Sequence, residues 1–570
     1  MAMTAVPEFE RTDLVAVTVA EDVGVGLARG DQRWAVPTSA PMSVLAELHE
    51  RHEPRWVWWG RETADQVATA RLPIDRCWDV AAVHRLLFGR WRTPVGEIWA
   101  LLHDLPLDSL PQMGQLDLLG APVDQGDADE AVQLDGHLRP DWVAGGYTKT
   151  ADRLSRWAEL ALQAAAVQAD LLATLPDPAR ALSTARSESA AELLCAEMTV
   201  HGLPFDEDTA LSLIAGSAGP RPTSFAHEEE LRAERDEAVL AVLNPRQEVN
   251  LRNPAEVKAM LRLAGLELPD TRAWRLEALR DDEPLIDALL TWRKAERIAT
   301  TYGYAWLDEH VNAGRLRGGW SGADGAAGRM TATAGMHNLP AVMRPVVAAD
   351  DGHVLVRADL GQIEPRILAA VSGDEAFIEA TQGDDLYLPV AQRLGVDRDI
   401  AKLAVLGAMY GATTGQSAGA LAGLERSYPV AMGMLETAAE AGRLGEDVFT
   451  SGGRRIRMWV DRSVEGDLDR AISVAAARGR YARNALIQGA AAEFFKVWAI
   501  TVRRRGRPLG AEVVLCLHDE LLVHVPAEHA QAAADVVKDS LQEAAYYWAP
   551  RPDVRFVADI SIVRRWSEAK

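Results

Sequence analysis

Two acidic side chains at the ends of apolar runs are the residues of this chain best placed to do chemistry. In VLVRADLGQIEPR, residues 354–366, alternation puts Val354, Val356 and Ala358 on one face of a strand and Leu355, Arg357 and Asp359 on the other. Gly361 ends the strand signal, so Asp359 falls at its terminus. In AEVVLCLHDELLVHVP, the runs 513–517 and 521–525 flank His518, Asp519 and Glu520, which reads as a hairpin with acids at its tip. If one sheet joins the two strand ends, two or three carboxylates crowd together and either raise one another's pKa or require a cation. A pair of divalent metal ions is the simplest neutraliser. Each piece alone also suits a turn or a cap. A third stretch, DRDIAKLAVLGAMYG, changes the balance: Asp397 is placed to cap a helix, and Arg398, Lys402, Leu406 and Tyr410 recur every fourth residue along one face. Cations near a helix N-terminus oppose the macrodipole, and they make sense with an anion such as a polyphosphate as partner.

Taken together, these stretches resemble the family A DNA polymerases, the group of bacterial DNA polymerase I. RADLGQIEPR resembles the first palm motif, DRDIAKLAVLGAMYG the fingers helix and LCLHDE the last palm motif. GRMTATAGMHNLP, TSGGRRIRMW and RYARNALIQGAAAE resemble further motifs in the same order. The resemblance implies Asp359 and Asp519 as ligands of two Mg2+ ions, with Mn2+ a workable substitute, and Glu520 as a tuning carboxylate beside them. It implies Arg398 and Lys402 gripping a triphosphate, Lys402 also protonating the departing pyrophosphate, and Tyr410 stacking at the template side of the pocket. Glu364 resembles a steric gate against a ribose 2′-hydroxyl, with Gln362, Leu406 and Tyr387 also in the nucleotide pocket. Arg329, Arg480, Asn484, Gln488, His518 and Arg366 are the implied DNA contacts. The chain departs from the family pattern at Leu360 and Gly361 in place of a Tyr-Ser pair, at Pro365, at Leu406 in place of an aromatic, and at Tyr387 where a phosphate-touching His is usual.

The 570 residues are 48% hydrophobic and 25% charged, which suits several soluble globular domains. Cys77, Cys195 and Cys516 show no metal-knuckle or disulfide spacing, so buried free thiols are expected. No apolar run approaches the ~20 residues of a membrane span, and the N-terminus lacks a signal-peptide pattern. A cytoplasmic monomer, in the bacterial cytoplasm or nucleoid, is expected. A net charge of −23 opposes nucleic-acid binding by the chain as a whole, so binding requires positive potential focused around Arg329, Arg398, Lys402, Arg454, Arg455 and Arg480.

The fold class expected is multidomain, α/β plus α+β: a ribonuclease H-like exonuclease-type domain over 1–175, thumb-region helices over 176–317, and palm and fingers over 318–570, with the fingers at about 373–470. In the first of these, DLVAVTVA, VGVGLA, RWAVP and RWVWW read as strands, and MSVLAELHERH and VAAVHRLLF as helices. The family's exonuclease needs an Asp-x-Glu pair on the first strand and a Tyr-x-x-x-Asp on a late helix. Here those positions hold Thr18 and Ala20, then Trp157 and Ala161, with Asp79 alone keeping a family position and Glu21 and Asp22 as substitutes after a register shift. The domain therefore reads as an exonuclease relic. The chain also lacks room for a 5′-nuclease domain, so nick translation is not expected of it. The segment 104–150, with Asp124, Asp127, Asp129 and Glu130, reads as a solvated, mobile loop excursion. PLIDALLTWRKAERIATTYGYAWLDEHV reads as one long helix, and Arg246, Arg252 and Lys258 as a DNA-facing tip or merely solvated charges.

The function expected is template-directed addition of deoxynucleotides to a primer 3′-hydroxyl, with primer-template DNA and deoxynucleoside triphosphates as partners, in repair or gap filling and without proofreading. Two alternatives stay open: a primer-template binding scaffold without catalysis, and a 3′-to-5′ exonuclease.

Overall fold

The structure is a computed structural model that describes residues 7–111, 127–243, 248–411, 418–459, 468–551 and 553–569. Asp124 and Arg246 lie outside the described residues. The chain divides into two compact units. One comprises Met1–Gly202, Gly319–Thr331 and Asp351–Val563, the other Leu203–Gly318, Ala332–Asp350 and Arg564–Lys570. The helix Pro178–His201 thus belongs to the first unit, so the expected segment 176–317 straddles the division.

The first unit begins with a five-stranded sheet: β1 (Leu14–Ala20), β2 (Gly24–Arg29), β3 (Gln32–Pro37), β4 (Arg55–Trp58) and β5 (Cys77–Asp79), in the order β3-β2-β1-β4-β5. β1 and β2 form the expected antiparallel hairpin, whereas β1, β4 and β5 are parallel, joined by α1 (Pro41–His52) and α2 (Arg61–Thr69). The two faces of β1 bury different sets. Val15, Val17 and Val19 pack with Leu45, Leu48 and Val67, while Ala16 and Ala20 pack with Leu154, Trp157 and Trp59. α2 and the three-residue β5 are additions to the expected elements.

The acidic segment after this sheet is tied down where described. Asp129 pairs with Arg153 at 2.7 Å, Glu130 pairs with Arg156, and Trp142 is fully buried under the Arg153 guanidinium. The carboxylates stay solvated, as expected, while cations on the helix Ala151–Ala173 pair with them and anchor the segment.

A second, fully antiparallel sheet in this unit runs Glu512–Leu517, Glu520–Pro526, His353–Leu360, Ala558–Val563. Behind it packs the 39-residue helix Leu468–Gly506. Among the described residues this is the one helix long and apolar enough to cross a membrane, and 83% of its apolar window is buried inside the protein.

The second unit is mainly helical, with Phe225–Leu240, Pro254–Leu263 and Pro284–Thr301 sharing a core of Val239, Met260, Leu276, Leu289 and Trp292. The expected long helix breaks after Thr301 and restarts at Tyr304. Gly303 makes the break: a Cβ there would stand 2.5 Å from the Ala299 carbonyl oxygen. Arg252 is no exposed tip residue, since it lies over the Trp292 ring and pairs with Asp236 at 2.7 Å and Glu296 at 2.6 Å.

Candidate active site

Register in the second sheet places the acids. Asp359, in the strand His353–Leu360, stands opposite Glu520 on one neighbour and Asp559 on the other, and cross-strand partners share a face. Asp519 occupies the two-residue turn of the hairpin with His518, which has a left-handed φ of 50°. The Leu360 N–H donates to the Asp519 carbonyl at 2.9 Å, which joins the turn to the end of the Asp359 strand. Two participants escaped sequence reading. Asp559 lies on a C-terminal strand with weak alternation. Arg357 is two residues before Asp359 on the same face, and its guanidinium donates to Asp359 at 2.6 Å and to Glu520 at 2.8 Å and lies 3.5 Å from Asp559.

Burial, and then the Asp519 carboxylate, push Asp359 up to about 6 despite the pull of Arg357. Burial raises Asp519 as well. Carboxylates that resist ionising in this way are short of positive charge. The oxygen-only donors Asp359 and Asp519 fit a hard divalent cation whose remaining ligands are water or phosphate. Among the described residues no three ligating side chains form a closed metal cage.

Next to Asp519 is a cavity of about 260 Å³ lined also by Arg329, Gln362, Glu364, Tyr387, Leu406, Tyr410, Gln488 and His518. Eight expected residues therefore converge. Glu364 accepts from the Tyr410 hydroxyl at 2.9 Å and from Arg329 at 3.0 Å, a bridge across the cavity mouth. Gln362, with φ 54°, accepts the Leu386 N–H and donates to Asp385. Burial pushes the Tyr387 phenol up to about 12. Burial, followed by Arg329, lowers the His518 pKa.

The helix Arg398–Tyr410 presents Arg398, Lys402, Leu406 and Tyr410 on its accessible face. Asp397 occupies its N-cap position, but the Asp397 side chain makes no capping bond, which differs from the expectation. Arg398 is not an unpaired cation either, because it donates to Asp385 at 2.5 Å and lies over the Tyr387 ring. Lys402 is exposed and has no partner among the described residues. At the far end Gly411 has φ 71°, and a Cβ there would meet the Arg480 side chain at 2.9 Å. Arg480, Asn484 and Gln488 follow one another at helical spacing on Leu468–Gly506, though only Gln488 reaches the cavity.

Two expected cations point inward. Arg366 is fully buried and donates to the carbonyls of Gly361, Thr381, Gly383, Asp384 and Arg555. This placement removes it from the residues proposed to touch DNA. Arg454 is equally buried, pairing with Glu188 at 2.6 Å beside Glu493, while Lys496 donates to the same Glu188 at 2.7 Å. It therefore contributes nothing to the surface potential. Arg455 pairs with Asp447 at 2.7 Å and remains partly exposed.

In the first sheet, Thr18, Ala20, Trp157 and Ala161 are all buried. The Trp157 ring stacks on Tyr147 at 5.0 Å and lies 5.3 Å from Trp59, while the Tyr147 hydroxyl donates to Glu62 at 2.6 Å. The remaining cavity there is about 80 Å³. Asp79 is buried as the cap of the helix Val80–Phe88, accepts from Trp58, and is pushed up to about 7 by burial and then by Glu192. Glu21 and Asp22 sit on the exposed β1–β2 turn.

Residues 225–568, a span that includes every acid of the site and its cavity, match DNA polymerase family A. The chain belongs to this family. Among curated members of family A, the thermostable DNA polymerase I of Thermus filiformis is 31% identical over 328 residues, which are 52% of this chain and 38% of that protein. That of Thermus aquaticus is 31% identical over 329 residues, 53% of this chain and 38% of its own length. DNA polymerase I of Deinococcus radiodurans is 28% identical over 446 residues, 69% of this chain and 44% of its own. The chain thus spans about two fifths of the length of these relatives. A solved structure described as the POL domain of Pol1 from M. smegmatis, in complex with DNA primer-template and dNTP, aligns with a TM-score of 0.65 over 98% of this chain and 96% of that chain. At 20% identity it shows a shared fold.

Proposed function

We propose that this chain is a template-directed DNA polymerase that extends a primer 3′-hydroxyl with deoxynucleotides. The observation that carries the reading is the convergence of Asp359 and Asp519 where neighbouring strands of one sheet end, beside a cavity lined by eight side chains of the family's nucleotide and DNA motifs. In this reading the second sheet is the palm, residues 373–470 are the fingers, the helices of the second unit are the thumb, and residues 1–175 are an exonuclease-type domain.

Asp359 and Asp519 would hold two Mg2+ ions, which when bound lower the pKa of the primer hydroxyl and neutralise the triphosphate. Arg398, steadied by Asp385, and the unpaired Lys402 would bind the phosphates, and Lys402 would donate a proton to the departing pyrophosphate. Glu364, held between Tyr410 and Arg329, stands as a rigid acid against a ribose 2′-hydroxyl. Arg329, Gln488 and His518 would follow the terminal base pair through minor-groove acceptors that all correct pairs share, with Arg480 and Asn484 on adjoining DNA. No proofreading is proposed, because Thr18, Ala20, Trp157 and Ala161 bring no carboxylate to the first sheet and the aromatic rings fill the space. Gap filling or repair is the role proposed.

Arg357 favours a second reading, a primer-template binder without catalysis, since its guanidinium already sits against Asp359. Primer extension with Mg2+, comparing wild type with Asp359→Ala and with lanes lacking nucleotides, separates the two. Extension that disappears in Asp359→Ala supports the polymerase. Tight, salt-sensitive binding without extension supports the binder, and primer shortening without nucleotides overturns the inactive-exonuclease assignment.

A further inference from the structure

A second charged cavity, of about 220 Å³, lies in the first unit where the start of β4, the segment before β5 and the helices Pro178–His201, Leu468–Gly506 and Ala530–Trp548 meet. Its lining holds five arginines against two carboxylates. The carboxylates are already committed. Asp75 pairs with Arg503, which also takes Glu197, and Glu543 pairs with Arg504. The other three arginines, Arg55, Arg76 and Arg186, have no carboxylate partner among the described residues. Arg55 has only a 3.4 Å contact with the Cys77 carbonyl, Arg76 donates to the Arg11 carbonyl, and Arg186 makes no bond there at all.

These three guanidiniums repel one another. Burial, then Arg186 and then Arg76, bring Arg55 down to about 10, and burial and Arg76 lower Arg186. Guanidiniums gathered without carboxylates form a fork-shaped donor set that matches the oxygens of a phosphate. The cavity volume is enough for one or two phosphate groups. The exposed Tyr547 at the rim offers a ring or hydroxyl to whatever the phosphate carries.

We propose that Arg55, Arg76 and Arg186 form a binding site for a phosphate or diphosphate group, separate from the polymerase cavity. The group could be free in solution or the 5′ end of a nucleic acid strand, since both present the same oxygens. Nothing in the nucleotide-transfer reading uses these residues.

The test measures pyrophosphate binding by calorimetry in EDTA at constant ionic strength, with Lys402→Ala as background so that the fingers phosphate grip is weakened. Saturable binding is expected, weakened about tenfold by Arg186→Gln or by Arg76→Gln as a charge-assisted bond is lost. No binding in the Lys402→Ala background, or binding that neither arginine variant weakens, overturns the proposal. Arg186 is exposed, so Arg186→Gln should fold; without ligand at low salt it should raise Tm by relieving repulsion, and a lowered Tm counts against the site. A 5′-phosphorylated oligonucleotide that outcompetes its 5′-hydroxyl twin in wild type but not in Arg186→Gln assigns the site to nucleic-acid ends. Equal competition by the two, with pyrophosphate bound as expected, assigns it to a free anion.

Discussion

Replacing Arg357 with Met removes one positive charge from among three carboxylates while keeping most of the side-chain volume. The guanidinium and Glu520 are 10% and 9% exposed and 2.8 Å apart, so Glu520 loses a buried charge-assisted bond, a loss of about 1.5–3 kcal/mol. Asp359, with 36% of its side chain exposed, adds no more than about 1 kcal/mol after solvent screening. A total near 3 kcal/mol should lower Tm by about 2–3 °C in EDTA at pH 8 for a chain of this size. The deficit should shrink toward pH 5. Asp359 already stands at about 6, and removing Arg357 raises it further, so the folded state takes up protons before the unfolded one and gains stability as the pH falls. Mg2+ should restore more stability to the variant than to wild type, because binding to the folded state alone adds to it and the competing cation is gone. By the same logic, primer extension should reach half-maximal rate at lower Mg2+ in the variant. Thermal unfolding with and without Mg2+, together with an Mg2+ titration of extension, reads all three effects. An unchanged Tm in EDTA, or an Mg2+ response equal to that of wild type, would refute the idea that Arg357 neutralises this cluster.

Three further outcomes follow from other residues. His84 is fully buried against Phe88, and burial holds its pKa near 3, so folding loses stability as pH falls below its unfolded value; the loss is about 2 kcal/mol between pH 6.5 and 4.5 and should be absent in His84→Leu by thermal melts. Arg366→Met leaves several carbonyls without a donor and should destabilise by about 3 kcal/mol, yet keep the salt slope of DNA binding, whereas loss of a phosphate contact would reduce that slope by about 1. Leu406 offers no hydroxyl to replace a missing sugar 3′-hydroxyl, so dideoxy terminators should be used poorly; Leu406→Tyr should raise their incorporation about tenfold, read from termination at equal terminator and normal nucleotide.

The acids were legible because period-two alternation and a two-residue turn are local signals, and Asp359, Asp519 and Glu520 lie within them. Alternation also put Arg357 on the face of Asp359, but it gives a face and not a partner, so the ion pairs with Asp359 and Glu520 went unread. Arg366 and Arg454 show the converse. A cation in a motif is visible in sequence, while the direction of its side chain depends on segments nearly 200 residues away, such as the Arg555 carbonyl, or more, such as Glu188. The strand Ala558–Val563 escaped because its half-buried residues carry little apolar contrast, and β5 because three residues hold too little pattern. The helix break at Gly303 depends on a backbone approach that periodicity does not register.

Glu188 belongs to the helix Pro178–His201, outside the part of the chain where the chemistry is proposed, yet it is the carboxylate that quiets Arg454 and Lys496 within the interior. Point substitution and excision are therefore unequal routes for evolution here. Under the exonuclease-type reading proposed for residues 1–175, single changes such as those at Thr18 and Ala20, and at Ala161 on the helix Ala151–Ala173, are absorbed by neighbouring aromatic rings. Deleting the region together with that helix would leave Arg454 and Lys496 in the protein interior with Glu493 alone against two cations, so this region is far easier to alter than to discard.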